Sequence, residues 1–214
     1  MIIGAHLIWT AYGWWLPNDP RGSTSQHVAS ETLAQLGELH SGRKKIQPPG
    51  RAIREFYDQA KGILQHPLLE LTREDMDCVA ESFAATVARE RYTCYACAIM
   101  RDHAHLLVRK HKHTPQEMMD RLQGDSSLLL REGQRRPANH PVWTQGGAVI
   151  YIDHPARMWN TIQYVRGNYD KAHLRAPEFP FVKAYDNWPL HEGHSPKSPY
   201  VRTPRGQRYV RPDA

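Results

Sequence analysis

The chain has 214 residues, of which 40% are hydrophobic, and its 28 lysines and arginines exceed its 22 aspartates and glutamates to give a formal net charge of +6. That length fits one domain with extensions, and the basic surplus suits a polyanionic partner such as nucleic acid. The sequence has no apolar run of about 18 residues and no N-terminal secretory pattern, so membrane function is excluded and a cytoplasmic protein is expected. Three cysteines cannot make a disulfide framework, and the 16 prolines and 14 glycines place long stretches in loops.

Residues 2–12 alternate His6, Ile8, Thr10 and Tyr12 against Ala5, Leu7, Trp9 and Ala11, which predicts a first strand with His6 facing either a site or the core. An ordered loop rich in aromatic and turn-forming residues follows, and Trp14, Trp15 and Arg21 in it are candidate contacts to nucleic acid. Residues 24–71 are a polar, basic insertion carrying Arg43, Lys44 and Lys45 and a helix over about 51–65. Thr72 with Asp75 three residues on opens a helix that reaches about residue 90, its stripe made of Met76, Val79, Phe83 and Val87. Residues 92–100 read as a strand; Cys94 and Cys97, three apart, are expected on opposite faces as small buried side chains rather than as half of a zinc site.

Arg101 and Asp102 turn the chain into a strand at 103–110 whose His103 and His105, two apart, project side by side. Two imidazoles bind a divalent ion but do not complete its coordination. Thr114 and Pro115 open a second helix running through Met118, Leu122 and Leu130 towards Gly133. A fourth strand is expected over about 142–152 with a bend at Gly146 and Gly147, and Asp153 is placed to cap a helix reaching about residue 171. The order β-α-β-β-α-β predicts an α+β, ferredoxin-like (split βαβ) antiparallel four-stranded sheet with two helices on one face, plus a C-terminal helix. Residues 1–175 form the expected domain, and 176–214 a Pro- and Arg-rich tail that docks through Phe179, Phe181 and Trp188.

On the last helix Met158, Ile162 and Val165 make the buried stripe, while Tyr164 and Asn168 are about 40° apart on a flank that also carries Arg157, Thr161 and Lys171. Asn168 offers an amide oxygen as third ligand beside the two histidines, and Tyr164 a phenol able to attack a phosphodiester. For any single tyrosine an ordinary amphipathic-helix role is the competing reading.

These residues carry a family resemblance. Asp102-His103-Ala104-His105-Leu106-Leu107-Val108 resembles the His-hydrophobic-His motif of HUH single-tyrosine transposases, which follows Met-Pro-Asn or Met-Pro-Asp. Tyr164-Val165-Arg166-Gly167-Asn168 is similar to their nucleophile helix, and Leu122-Gln123-Gly124 to the Leu-Lys-Gly segment of helix two. The opening at residues 10–23 resembles that of a REP-associated branch. Arg101, Gln123 and Tyr169 stand where the family usually has proline, lysine and proline.

The resemblance implies a metal-dependent (Mg²⁺ or Mn²⁺) single-strand DNA endonuclease and strand transferase. Tyr164 is then the nucleophile leaving a 5′-phosphotyrosine, and His103, His105 and Asn168 are the metal ligands. By residue type rather than by the resemblance, Trp14, Trp15, Arg21, Arg43, Lys44, Lys45, Arg101, Gln123 and Arg157 are candidate DNA contacts. The expected partner is DNA with single-stranded hairpin ends, and a homodimer is compatible with the sequence. Two other readings are a ferredoxin-like module that binds a DNA or RNA hairpin without cutting it, and a zinc hydrolase, for which a third strong ligand and a base at fixed spacing are missing.

Overall fold

In a computed structural model, residues 1–189 are described apart from positions 24, 26, 29, 43, 134, 136 and 138. The elements run β1 (Gly4–Thr10), α1 (Glu31–Ala34), α2 (Gly50–Lys61), α3 (Arg73–Glu90), β2 (Cys94–Ile99), β3 (His103–Arg109), α4 (Pro115–Glu132), β4 (Ala148–Ile152) and α5 (Pro155–Lys171). With the insertion helices α1 and α2 set aside, this is the predicted β-α-β-β-α-β order. The strands lie as β2-β3-β1-β4 with every pairing antiparallel, the ferredoxin-like α+β arrangement.

The two long helices on the first face start where their caps dictate. The Thr72 hydroxyl accepts from the Asp75 amide while the Asp75 carboxylate accepts from the Thr72 amide, and Thr114 and Glu117 repeat the device at α4. Both helices pack on Ala5, Leu7 and Trp9 of β1 and on Ala104, Leu106 and Val108 of β3; Phe83 meets Trp9 edge to face at 5.6 Å.

The opposite face of the sheet is covered by α5, whose Met158, Ile162, Val165 and Tyr169 pack on Ile3, Ala98, Leu107 and Ile152. Helices on one face therefore describes α3 and α4 alone. The reason is in β2, which is buried at all six positions and so has apolar side chains to cover on both faces.

Four local expectations are corrected. β4 begins at Ala148 rather than near 142, because Gly146 takes a left-handed φ of 81° and Gly147 passes so close to β1 that a Cβ there would sit 2.5 Å from the Ile8 carbonyl oxygen. Gln123, expected at DNA, instead donates to the Gly146 carbonyl at 2.9 Å and pins this bend. Cys94 and Cys97 share one core, since a bulge between Cys94 and Ala96 shifts the alternation by a residue; burial pushes the Cys94 thiol up to about 12. His154, not Asp153, caps α5 by accepting from the Ala156 amide, and Asp153 pairs with Arg157 at 3.0 Å. Substituting Gly147→Ala should lower stability by about 1–3 kcal/mol, as overpacking against β1 and Met119 does, and shift the urea midpoint. An unchanged midpoint would mean that the backbones are not in this contact.

The insertion is anchored by a polar knot. Asp19, fully buried, accepts from the Tyr57 hydroxyl and twice from the Arg21 side chain, whose guanidinium lies 3.9 Å over the Trp15 ring. Phe56, Tyr57 and Ala60 of α2 close a satellite core on Leu16 and Trp14. After α5 the chain crosses the outer edge of β2, where the Lys183 amide donates to the Cys94 carbonyl at 2.8 Å, so this edge is not left open. Phe181 is buried there, with Phe179 and Trp188 half-buried.

Candidate active site

The period-2 rule sends Leu106 and Val108 of β3 into the α3/α4 core and His103 and His105 to the face beneath α5. The imidazole rings of the pair are 4.8 Å apart. Their outer partners fix their orientation. His103 Nδ1 lies 2.6 Å from Asp102 Oδ1, and His105 Nδ1 lies 2.9 Å from His6 Nε2 across from β1. A carboxylate only accepts, so His103 carries its proton on Nδ1 and presents a lone pair at Nε2. His105 has the same tautomer when His6 Nε2 is the acceptor. Both Nε2 atoms then carry an open lone pair, with each ring oriented by a hydrogen bond at its other nitrogen, the arrangement that suits a metal ligand.

Electrostatics favour a neutral His105, the form that metal binding requires. Burial, joined by the nearby positive charges of His103, His6 and Lys171, pushes His105 down to about 2, and burial pushes His6 down to about 4. Burial alone would raise the Asp102 carboxyl, but its hydrogen bond and charge interaction with His103 outweigh that and hold it below the usual range.

Tyr164 stands on the exposed flank of α5 with its ring 5.9 Å from those of both His6 and His105, and it remains 42% exposed. The Lys171 ammonium sits 4.7 Å over the phenol ring. Asn168 directs its amide nitrogen to the Tyr164 and Val165 carbonyls at 3.0 and 3.2 Å, which leaves Oδ1 as the atom available to a ligand. His103 and Asn168 line one cleft of about 640 Å³ with Arg101, Asp102 and Lys171. Among the described residues no three His, Cys, Asp or Glu side chains group as a metal site, so the candidate set is two imidazoles and one amide oxygen. That set fits a hard octahedral cation with positions left for phosphate oxygens and water.

Tyr169 is accounted for elsewhere. It is buried, and its hydroxyl accepts from the Ile99 amide at 3.0 Å, on the far side of the helix from Tyr164. Tyr151 is exposed on β4.

The remaining predicted contacts divide. Arg101 is exposed at the cleft, and Lys44 and Lys45 are exposed on the insertion. Arg43 lies outside the described residues. Trp14, expected as a stacking platform, donates its indole N–H to the Leu69 carbonyl at 2.7 Å and packs on Tyr57, so it is satellite core. Trp15 is half-buried and already covered by Arg21, which is itself held by Asp19; neither is free for a base or phosphate, because the buried Asp19 needs a cation beside it. Arg157 is paired with Asp153.

The partner roles of His6 and Asp102 were missed by sequence reasoning. For Asp102 the adjacency to His103 was the available signal; for His6 it was only the parity of β1, which cannot specify a register against β3.

Residues 69–168, from the approach to α3 through Asn168, match the family described as "Transposase IS200 like". This segment, which holds α3, β2, β3, α4, β4 and most of α5, is similar to that family. A crystal structure of a Deinococcus radiodurans R1 protein described as a "putative transposase" is similar at 14% identity and a TM-score of 0.36, over 82% of this chain and 94% of that one. No curated protein matches the chain in sequence. Among the described residues no helix is long and apolar enough to cross a membrane.

Proposed function

We propose that the chain is a transposase of the HUH single-tyrosine kind, which cuts and rejoins single-stranded DNA through Tyr164 with a divalent metal held by His103, His105 and Asn168. The observation that carries the reading is the position of the Tyr164 ring, 5.9 Å from that of His105, above a histidine pair whose Nε2 atoms are both left for a ligand. When bound, Mg²⁺ or Mn²⁺ would polarise the scissile phosphate and offset charge developing in its displacement.

The chain's own residues do the rest. The Tyr164 Oη, open to solvent, attacks phosphorus and passes its proton to water; the Oη–P bond forms, the P–O3′ bond breaks, and the 3′ oxygen takes a proton from water and leaves as a hydroxyl. The strand keeps a 5′-phosphotyrosine whose ester energy allows a later 3′ hydroxyl to rejoin it without ATP. Lys171 supplies positive charge beside the phenol, where the phosphate must arrive. Asp102 and His6 orient the two imidazoles.

The test is incubation of the full chain with fluorescent hairpin single strands and Mn²⁺, followed by a denaturing gel. A protein band carrying the label is expected; binding without such a band would favour the non-cutting hairpin module. Asn168→Ala should weaken Mn²⁺ affinity by roughly 10- to 100-fold in a calorimetric titration, the loss typical of a group that tunes a metal site. An unchanged titration would remove Asn168 from the ligand set.

A further inference from the structure

We infer that the cleft beside the histidine pair seats one unpaired nucleotide of the DNA strand, next to the phosphate that Tyr164 attacks. This rests on the function proposed above and adds where the strand lies. The cleft is bounded by the start of α3, the β2–β3 turn and the chain just after α5, and its volume of about 640 Å³ falls within the roughly 300–1,000 Å³ of small-molecule sites.

Its lining is of two kinds. Met76, Leu174 and Phe179 present apolar and aromatic surface, the lining that a base removed from its stack requires. Arg101, Lys171 and Arg175 are exposed, and none of them is ion-paired among the described residues, whereas Arg73 at the same cleft is matched by Asp77 at 3.3 Å. These three cations outnumber the one further carboxylate at the cleft, Asp102, which is bonded to His103, so the opening carries surplus positive charge that an anion would offset. The cleft also shares His103 and Asn168 with the candidate active site, so a strand whose phosphate lies at the histidines has its neighbouring nucleotide at this opening.

The test uses the full-length Tyr164→Phe chain, so that binding is read without chemistry, and a set of fluorescent single strands each carrying one abasic position near the nick. One abasic position should weaken binding about tenfold, the size of one lost base-stacking contact. Leu174→Trp, which fills the cleft from an exposed position, should weaken the intact strand by a similar factor and leave that abasic strand unaffected. Arg101→Gln and Arg175→Gln, both exposed, should each lower the salt-dependence slope of binding by about one.

Equal losses for Leu174→Trp on intact and abasic strands, with unchanged salt slopes for the arginine variants, would overturn the nucleotide seat and leave the proposed function standing. No saturable binding of any strand to the parent chain would overturn both, and that outcome is visible before any cleft variant is made.

Discussion

Tyr164→Phe should yield no covalent protein–DNA adduct, a loss of more than about 10⁴-fold in nicking, while Mn²⁺ and hairpin strands still bind. The substitution removes one oxygen from a side chain that is 42% exposed and keeps the ring that the Lys171 ammonium overlies at 4.7 Å. Nothing in the core depends on that oxygen, so the thermal midpoint should hardly move. Tyr169→Phe should do the reverse. Its hydroxyl is buried and takes the Ile99 amide, so losing it leaves a backbone donor unpaired, costs about 1–3 kcal/mol and spares the adduct. Adduct formation lost in Tyr169→Phe and kept in Tyr164→Phe would reverse the helix register on which the site is built.

His105→Ala should have the second largest effect, and of a different kind from His103→Ala. Both should reduce Mn²⁺- or Mg²⁺-dependent nicking on the order of a thousandfold, since a cation that stabilises the displacement contributes several kcal/mol. His103 is half-exposed and bonded only to the neighbouring Asp102, so its loss should leave stability nearly unchanged. His105 is 3% exposed and bonded to the equally buried His6, so its removal leaves a cavity and an unpaired imidazole, and the urea midpoint should fall as well. Wild-type nicking by either variant would disprove the metal site. Equal stability of the two would disprove the His6–His105 bond.

The fold was legible where period and punctuation agree. Thr72 with Asp75 and Thr114 with Glu117 open their helices at the positions where the cap residues stand, and the alternation of β1 separates Trp9 from His6 as a strand must. What was not legible depends on backbone approaches that no single segment contains. The bulge at Cys94 and Ala96 puts two cysteines in one core, and the contact of Gly147 with β1 shortens β4; each follows from pairing with another strand.

The same division holds at the site. His103, His105, Tyr164 and Asn168 were readable because each pair is local, two residues apart on a strand or four on a helix. His6 joins them through a β1–β3 register that sets it opposite Leu107, which only the assembled sheet specifies. Trp14, Trp15, Arg21 and Gln123 looked like nucleic-acid contacts by residue type, but each is taken up by a structural partner: the Leu69 carbonyl, the Arg21 guanidinium, Asp19 and the Gly146 carbonyl. Residue type alone cannot tell a cation awaiting phosphate from one already held by a buried carboxylate.

The most direct test of Tyr164 as nucleophile is to locate the linked DNA by mass spectrometry. After reaction with a hairpin single strand and Mn²⁺, nuclease trimming and trypsin digestion, the three competing tyrosines fall in three different peptides. Residues 158–166 contain Tyr164 as their only tyrosine, residues 167–171 contain Tyr169, and Tyr151 lies in the peptide ending at Arg157. A nucleotide-mass addition on residues 158–166 is the result predicted. The same addition on residues 167–171, on the Tyr151 peptide, or on no peptide of a protein that has nicked its substrate would contradict it.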